Sequence, residues 1–168
     1  WRPILLLSIC NMTVPFCLLA YATLSIGAGF ASIINSTVPF FTAILAFTLW
    51  QQRLALKAIV GMFIGFFGVV LLMLDQSGPL GSNANMIAIA AAILGSVFYG
   101  LAINLMAQYL RGVSGVAVTT GSLIFSSLTL LPLALWKMPE IMPTGSVWLS
   151  VFSLGIICTG FAFVLFYR

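Results

Sequence analysis

Residues 30–74 decide the fold of this chain. They comprise an uncharged apolar run at 30–50 (FASIINSTVPFFTAILAFTLW), a short turn at 51–56 (QQRLAL) and a second apolar run at 57–74 (KAIVGMFIGFFGVVLLML). A helix needs about 20 mostly apolar residues to cross the hydrocarbon core of a bilayer, and each run has roughly that length. The stretch therefore predicts two transmembrane helices joined by a tight basic turn.

The same pattern continues on both sides of this stretch. Further apolar runs of spanning length occur at 4–23, 84–110, 115–136 and 146–167. Hydrophobic residues make up 62% of the chain and charged residues only 5%, which leaves too little polar surface to cover a water-soluble fold. We therefore expect an all-α, polytopic transmembrane bundle of six spans.

The basic residues predict the orientation of these spans, because cytoplasmic loops retain positive charge during insertion. If the gaps alternate between the two sides, only Lys137 of the six basic residues falls on one side. The side that holds the others is predicted to be cytoplasmic, and these residues are Arg2, Arg53, Lys57, Arg111 and Arg168.

Composition argues against catalysis, metal binding and nucleic-acid binding. The chain has no histidine, and its two acidic residues, Asp75 and Glu140, lie between the apolar runs. Catalysis needs groups that titrate or bind a metal, and the three cysteines form no metal-binding motif. The isolated basic residues form no patch for nucleic acid. We expect no enzyme active site, no metal, no cofactor and no nucleic-acid partner.

The longest polar stretch, residues 75–83, divides the chain into residues 1–74 and 84–168. An offset of 146 residues aligns the first span with the last and pairs Thr13 with Thr159, which would be opposite copies of an inverted repeat. The chain begins at Trp1 and ends at Arg168 against an apolar run. We expect it to be part of a longer membrane protein.

Two asparagine–proline pairs supply the main candidates for a substrate cavity. Proline lacks an N–H, so Pro15 and Pro39 should each leave a helical carbonyl unpaired, that of Asn11 and that of Asn35. Unpaired polar groups at membrane depth face protein or a watery cavity. The alternative is a packing kink in which each asparagine bonds to a neighbouring helix, and the sequence favours neither.

Other residues have a less specific pattern. Tyr99 and Asn104 in the fourth span are further cavity candidates, and Thr13 and Thr159 are candidates through the repeat. The hydroxyl-rich fifth span is interpreted mainly as packing, since such hydroxyls bond their own helical carbonyls. The small-residue spacing of the third span favours helix packing or a homodimer contact over ligand binding, and its glycines are Gly61, Gly65 and Gly68.

The run from Ala31 to Leu72 resembles the core of an EamA-type repeat of the drug/metabolite transporter superfamily. The matching positions are Ala31, Pro39, Arg53, Leu54, Gly61, Gly65, Gly68 and Val69. The resemblance extends over essentially the whole chain, and it implies helices three to eight of a ten-helix protein built from two inverted five-helix repeats. Gln52 departs from the pattern, because the family usually carries glutamate before this arginine.

The resemblance implies a secondary transporter of the inner or plasma membrane. We expect an exporter of small metabolites, such as amino acids or drug-like compounds, that works by alternating access. Its expected partners are membrane lipid and the small-molecule substrate. The alternative is a non-transporting scaffold or assembly subunit, which would bury Asn11 and Asn35 against helices and leave no cavity. A membrane enzyme ranks third, since its catalytic residues would have to lie outside this chain.

Overall fold

The computed structural model describes residues 2–52, 55–75, 83–137 and 144–161, and all regular structure in these ranges is helical. The elements are α1 (Arg2–Ser8), the π-helix π1 (Ile9–Thr13), α2 (Val14–Asn35), α3 (Val38–Trp50), α4 (Leu56–Asp75), α5 (Asn83–Tyr109), α6 (Gly115–Trp136), α7 (Gly145–Ser153) and the π-helix π2 (Leu154–Phe161). The prediction of an all-α membrane bundle is confirmed.

The first span changes its helical pitch just before Pro15. Proline has no N–H, and its ring crowds the carbonyl four residues earlier. Here the preceding turn widens into π1, in which the Val14 N–H donates to the carbonyl of Ile9, five residues back. Pro15 then occupies the first turn of α2, where a missing N–H costs nothing.

Gly27 ends the first span, although α2 is continuous in the hydrogen-bonding pattern. Its φ of 75° and ψ of 157° interrupt the helix, and this backbone region is essentially restricted to glycine. An unbroken helix from Pro3 to Asn35, 33 residues, would be about 50 Å long against a hydrocarbon core of about 30 Å. The break falls within the turn predicted around Ser25–Gly29.

The second span is not the single helix predicted at 30–50. α2 ends at Asn35, α3 begins at Val38, and Ser36 and Thr37 lie between them as a turn. Because Pro39 takes a position in the first turn of α3, the proline begins a new helix instead of kinking an existing one. Gln51, with φ 53°, then closes α3 in the left-handed conformation.

The remaining predicted spans agree with the described helices to within a few residues where both can be compared. The predicted third, fourth and fifth spans correspond to α4, α5 and α6, and α6 has the predicted bounds of 115–136. Pro3–Asn35, Met86–Tyr109 and Gly115–Trp136 are long and apolar enough to cross a membrane, while Val38–Trp50, Leu56–Leu71 and Gly145–Ile157 are shorter apolar helices.

α5 is the central helix of the described bundle. It packs along α2 and α3, while α1 and π1 pack against α6, and α4 has smaller contacts with α2 and α3. One core cluster consists mostly of alanine, which lets helix backbones approach closely in lipid; its members are Ala22, Ile34, Ala88 and Ala92. Large apolar side chains cover the outside, as expected where the surrounding solvent is lipid.

Candidate functional site

Several backbone groups at the break between α2 and α3 are hydrogen-bonded within the break itself. The N–H of Ser36 donates to the carbonyls of Ser32 (3.0 Å) and Ile33 (3.2 Å), and that of Thr37 donates to Ile34 O (3.0 Å). The two hydroxyls cap the same end: Ser36 Oγ donates to Ile33 O at 2.6 Å and Thr37 Oγ1 to Ile34 O at 2.6 Å. Such pairing lets irregular backbone be tolerated at membrane depth, although the N–H of Val38 and the Oδ1 of Asn35 have no hydrogen-bond partner among the described residues.

This break lies near the middle of the membrane. Asn35 follows Gly27, where the span begins, by eight residues, which corresponds to about 12 Å of helix. Half of the hydrocarbon core measures about 15 Å. The second span is therefore a discontinuous helix interrupted close to the midplane.

A cavity of about 490 Å³ lies between this break and one face of α4. Its described lining residues are Ser36, Thr37, Pro39, Phe40, Ala58, Gly61, Met62, Gly65, Phe66 and Val69. The rings of Phe40 and Phe66 are stacked at its side, with centroids 5.7 Å apart and planes at 25°. None of these residues carries a charge, so the described wall is apolar except for two hydroxyls.

The glycines of α4 do not make the close helix contact that their spacing predicts. A Cβ atom placed on Gly61, Gly65 or Gly68 would have no described atom within 4 Å beyond its own helix. Two of them, Gly61 and Gly65, line the cavity instead. The role of these glycines in helix packing or in a homodimer contact stays a prediction.

The tight glycine contact is at Gly100 in α5. A Cβ at Gly100 would lie 2.8 Å from the backbone N of Thr42 and 3.1 Å from the carbonyl carbon of Phe41. Beside it Asn104, 5% exposed, donates from Nδ2 to Thr42 O and to Gly100 O, both at 2.9 Å. Asn104 thus joins α3 to α5, as in the hydrogen-bonding alternative for membrane asparagines.

The structure places the other fourth-span candidate, Tyr99, apart from this junction and cavity lining. Tyr99 is partly buried on α5 and is not among the described residues that line the cavity. Asn35 ends α2, and its Oδ1 is buried without a hydrogen-bond partner among the described residues. Nearby, Ser96 Oγ donates to Ala92 O at 3.1 Å and reaches Ile34 O at 3.4 Å.

A second polar group joins the first and fifth spans. Ser8 Oγ donates to Ser122 O at 2.9 Å, and Thr13 Oγ1 lies 2.9 Å from Thr129 Oγ1 and 3.5 Å from Ser126 Oγ. In an α-helix residues five apart point about 140° away from each other. The wider turn of π1 brings Ser8 and Thr13 to the same side, so both reach α6.

Several hydroxyls of the fifth span bond carbonyls of their own helix, as its hydroxyl-rich sequence predicts. Thr119 Oγ1 donates to Gly115 O at 2.9 Å, and Thr129 Oγ1 to Phe125 O at 3.0 Å. Asn11 lies in π1 and is partly buried. Thr159 belongs to π2, but its side chain is outside the described part of the structure. Arg53 and Leu54, which carry part of the family resemblance, also lie outside the described residues.

The candidates therefore fall into two groups rather than one cavity. Asn35 and Pro39 lie at the α2–α3 break, and Asn104 joins the following part of α3 to α5. Asn11 and Thr13 lie in the first span beside α6. Among the described glycines, Gly100 is the one at which an added Cβ would meet another helix most closely, and the sequence pattern did not distinguish it from the others. Its i, i+4 spacing to Asn104 was the available signal.

The interrupted second span and the cavity beside it are typical of one class of membrane protein, the secondary transporters. Discontinuous helices with breaks near the midplane are the framework on which secondary transporters build substrate and ion sites. The sequence matches the EamA-like transporter family over residues 1–74 and 86–168, and the chain belongs to that family. It is accordingly an integral membrane protein, and the resemblance noted in the sequence is confirmed.

Similar proteins include two uncharacterized transporters. YetK of Bacillus subtilis is 28% identical over 145 residues, which cover 82% of this chain and 43% of the relative. A protein of Archaeoglobus fulgidus is 26% identical over 142 residues, 84% of this chain and 49% of the relative. The chain thus spans about half the length of these curated relatives. No solved structure gives a significant match.

Proposed function

We propose that the protein is a secondary transporter of the plasma membrane that exports small metabolites or drug-like compounds by alternating access. The observation that carries this proposal is the interruption of the second span at Ser36 and Thr37, near the midplane and beside a cavity. A continuous helix moves as one rigid body. Two shorter helices joined by a turn can tilt independently of each other around a binding site.

Both ends of the chain carry a π-helix in corresponding places, which supports an inverted repeat. Adding the 146-residue offset to π1 (9 + 146 and 13 + 146) gives residues 155–159, which lie inside π2. Pro15 accounts for the π turn in the first span, but its counterpart in the last span is Phe161. The second π turn therefore has no proline to cause it, and we take the wider turn as a feature that both repeats retain.

The cavity also supports transport over the scaffold alternative, which predicts that no cavity is present. The described spans contain no acidic or basic side chain at membrane depth. In this proposal coupling to an ion depends on residues outside this chain, or transport is uncoupled, and the protein performs no enzymatic step.

Accumulation assays with the complete coding sequence test the proposal. We expect cells that lack their major efflux systems to accumulate less of at least one labelled metabolite or drug-like compound when they produce the full-length protein. Inside-out vesicles from those cells should take up the same compound. Gly100→Leu, which separates α3 from α5, should abolish the effect, whereas Leu128→Ala, at a side chain 60% exposed, should preserve it.

Two results would contradict the proposal. Uptake by intact cells with none by inside-out vesicles would show import. If the protein reaches the membrane and moves no compound of the panel in either direction, the scaffold alternative becomes the better account.

A further inference from the structure

We propose that the cavity between the α2–α3 break and α4 binds an uncharged aromatic molecule that carries a hydrogen-bond donor. The identification of this molecule as transported cargo rests on the proposed function, whereas its binding to the cavity does not. Three properties of the described cavity lining favour such a ligand: its hydrogen-bonding groups, its apolar surfaces and its lack of charge.

The two hydroxyls of the cavity can accept hydrogen bonds but have no free proton to donate. Ser36 Oγ and Thr37 Oγ1 already donate to Ile33 O and Ile34 O at 2.6 Å each. A hydroxyl has one O–H donor and two acceptor lone pairs. A ligand that carries an N–H or O–H therefore finds partners here, and one that offers only acceptors does not.

Among the first residues of α3 only the N–H of Val38 has no hydrogen bond with a described residue, and Val38 is not among the described residues that line the cavity. Pro39 has no N–H, and the N–H groups of Phe40 and Phe41 donate to Thr37 O at 3.0 and 3.2 Å. A carboxylate or phosphate bound to a helix N-terminus needs several free N–H groups, and these three residues provide none. Together with the absence of any charged residue in the described lining, this disfavours anions and zwitterionic amino acids.

The apolar surfaces favour a flat molecule. Phe40 and Phe66 present aromatic rings at the side of the cavity, and aromatic ligands gain from stacked or edge contacts with such rings. Gly61 and Gly65, with no side chains, leave open space along α4. The volume of about 490 Å³ falls within the range of about 300–1,000 Å³ that holds drug-sized ligands.

The test compares three probes that share one aromatic skeleton. N-phenyl-1-naphthylamine is uncharged with one N–H, its N-methyl derivative lacks that N–H, and 8-anilinonaphthalene-1-sulfonate adds a negative charge. Binding to the full-length protein in nanodiscs is measured by fluorescence, with the signal of empty nanodiscs subtracted. We expect saturable binding of the first probe, about three- to tenfold weaker binding of the second because one hydrogen bond is lost, and at least tenfold weaker binding of the third.

Two matched variants locate the binding. Gly65→Leu fills the cavity, whereas Gly68→Leu makes the same substitution on the same helix at a residue that does not line it. Both positions have open space for a side chain, so both variants should fold. The first should weaken binding of N-phenyl-1-naphthylamine at least tenfold, and the second should change it less than twofold.

Equal affinities for the two variants, tighter binding of the anionic probe, or no saturable binding would overturn the proposal. The Gly61→Leu variant provides a second cavity-filling test if Gly65→Leu does not fold. Export of another compound with no binding of N-phenyl-1-naphthylamine would refute this site and leave the transport function intact. Binding as predicted without export of any compound would refute the transport function and leave the site.

Discussion

The contact between Gly100 and α3 predicts a large effect from a single methyl group. In Gly100→Ala the new Cβ would lie 2.8 Å from Thr42 N, 3.1 Å from the carbonyl carbon of Phe41 and 3.2 Å from Thr42 Cα. All three are backbone atoms, so no side-chain rotation relieves the clash. α3 would have to move away by roughly 1 Å to restore ordinary van der Waals contact.

The expected loss of stability combines three terms. Overpacking costs about 1–3 kcal/mol. A shift of α3 also breaks the 2.9 Å bond from Asn104 to Thr42 O, and a bond of this kind contributes about 0.6–1.7 kcal/mol in a membrane protein. Alanine regains about 1 kcal/mol of helix propensity over glycine. The net prediction is a loss of about 0.6–3.7 kcal/mol.

The assay is unfolding of the purified full-length protein by sodium dodecyl sulfate in mixed micelles, followed by circular dichroism. Gly95→Ala on the same helix is the matched control, because a Cβ there meets its nearest atoms at ordinary distances of 3.5–3.7 Å. That variant should be neutral or more stable by up to about 1 kcal/mol. A double-mutant cycle should show that Asn104→Ala costs less in the Gly100→Ala background.

Equal stabilities of Gly100→Ala and Gly95→Ala would show that the close contact between Gly100 and α3 does not exist. A full cost of Asn104→Ala in the Gly100→Ala background would also contradict it, because the hydrogen bond would then have survived the added methyl group.

Two further predictions concern the first span. Gly27→Ala should lower the free energy of unfolding by about 1–3 kcal/mol, because the φ of 75° at this position belongs to a region that strains other residues. Gly29→Ala should not lower it. The same unfolding assay compares the two variants, and equal stabilities would be evidence against the helix break at Gly27. Thr13→Val should lower the free energy of unfolding by about 0.6–1.7 kcal/mol, because it removes the 2.9 Å hydrogen bond to Thr129. Thr23→Val should lower it less, because the hydroxyl of Thr23 bonds its own helix. A larger loss for Thr23→Val would exclude the interhelical role of Thr13.

The positions of the spans were predictable because length and apolarity alone decide which segments enter a bilayer. α6 has the predicted bounds of 115–136, and its start is marked by Ser114, whose side chain accepts from the Ala117 N–H at 3.3 Å. The influence of Pro15 and Pro39 was also predictable, since the missing N–H acts locally. The form it takes differs between them, a π turn before Pro15 and a new helix at Pro39.

The partners of each helix face were not predictable from the same sequence. Gly61, Gly65 and Gly68 have the spacing typical of helix packing, yet open space surrounds them, and Gly100 makes the close contact instead. The sequence pattern indicated Asn104 only as a cavity candidate, whereas in the structure its Nδ2 donates to Thr42 O and Gly100 O and joins α3 to α5.

Composition, run length and local pattern are enough to show that this chain lies in a membrane, that its backbone is helical and that it belongs to the EamA-like transporter family. The interruption of the second span by Ser36 and Thr37 beside a cavity, and the central place of α5, are seen only in the folded chain. In lipid, apolar side chains face the solvent as readily as the core. The hydrophobic pattern therefore says little about which helix faces pack against each other. Close packing between particular helix backbones decides these contacts.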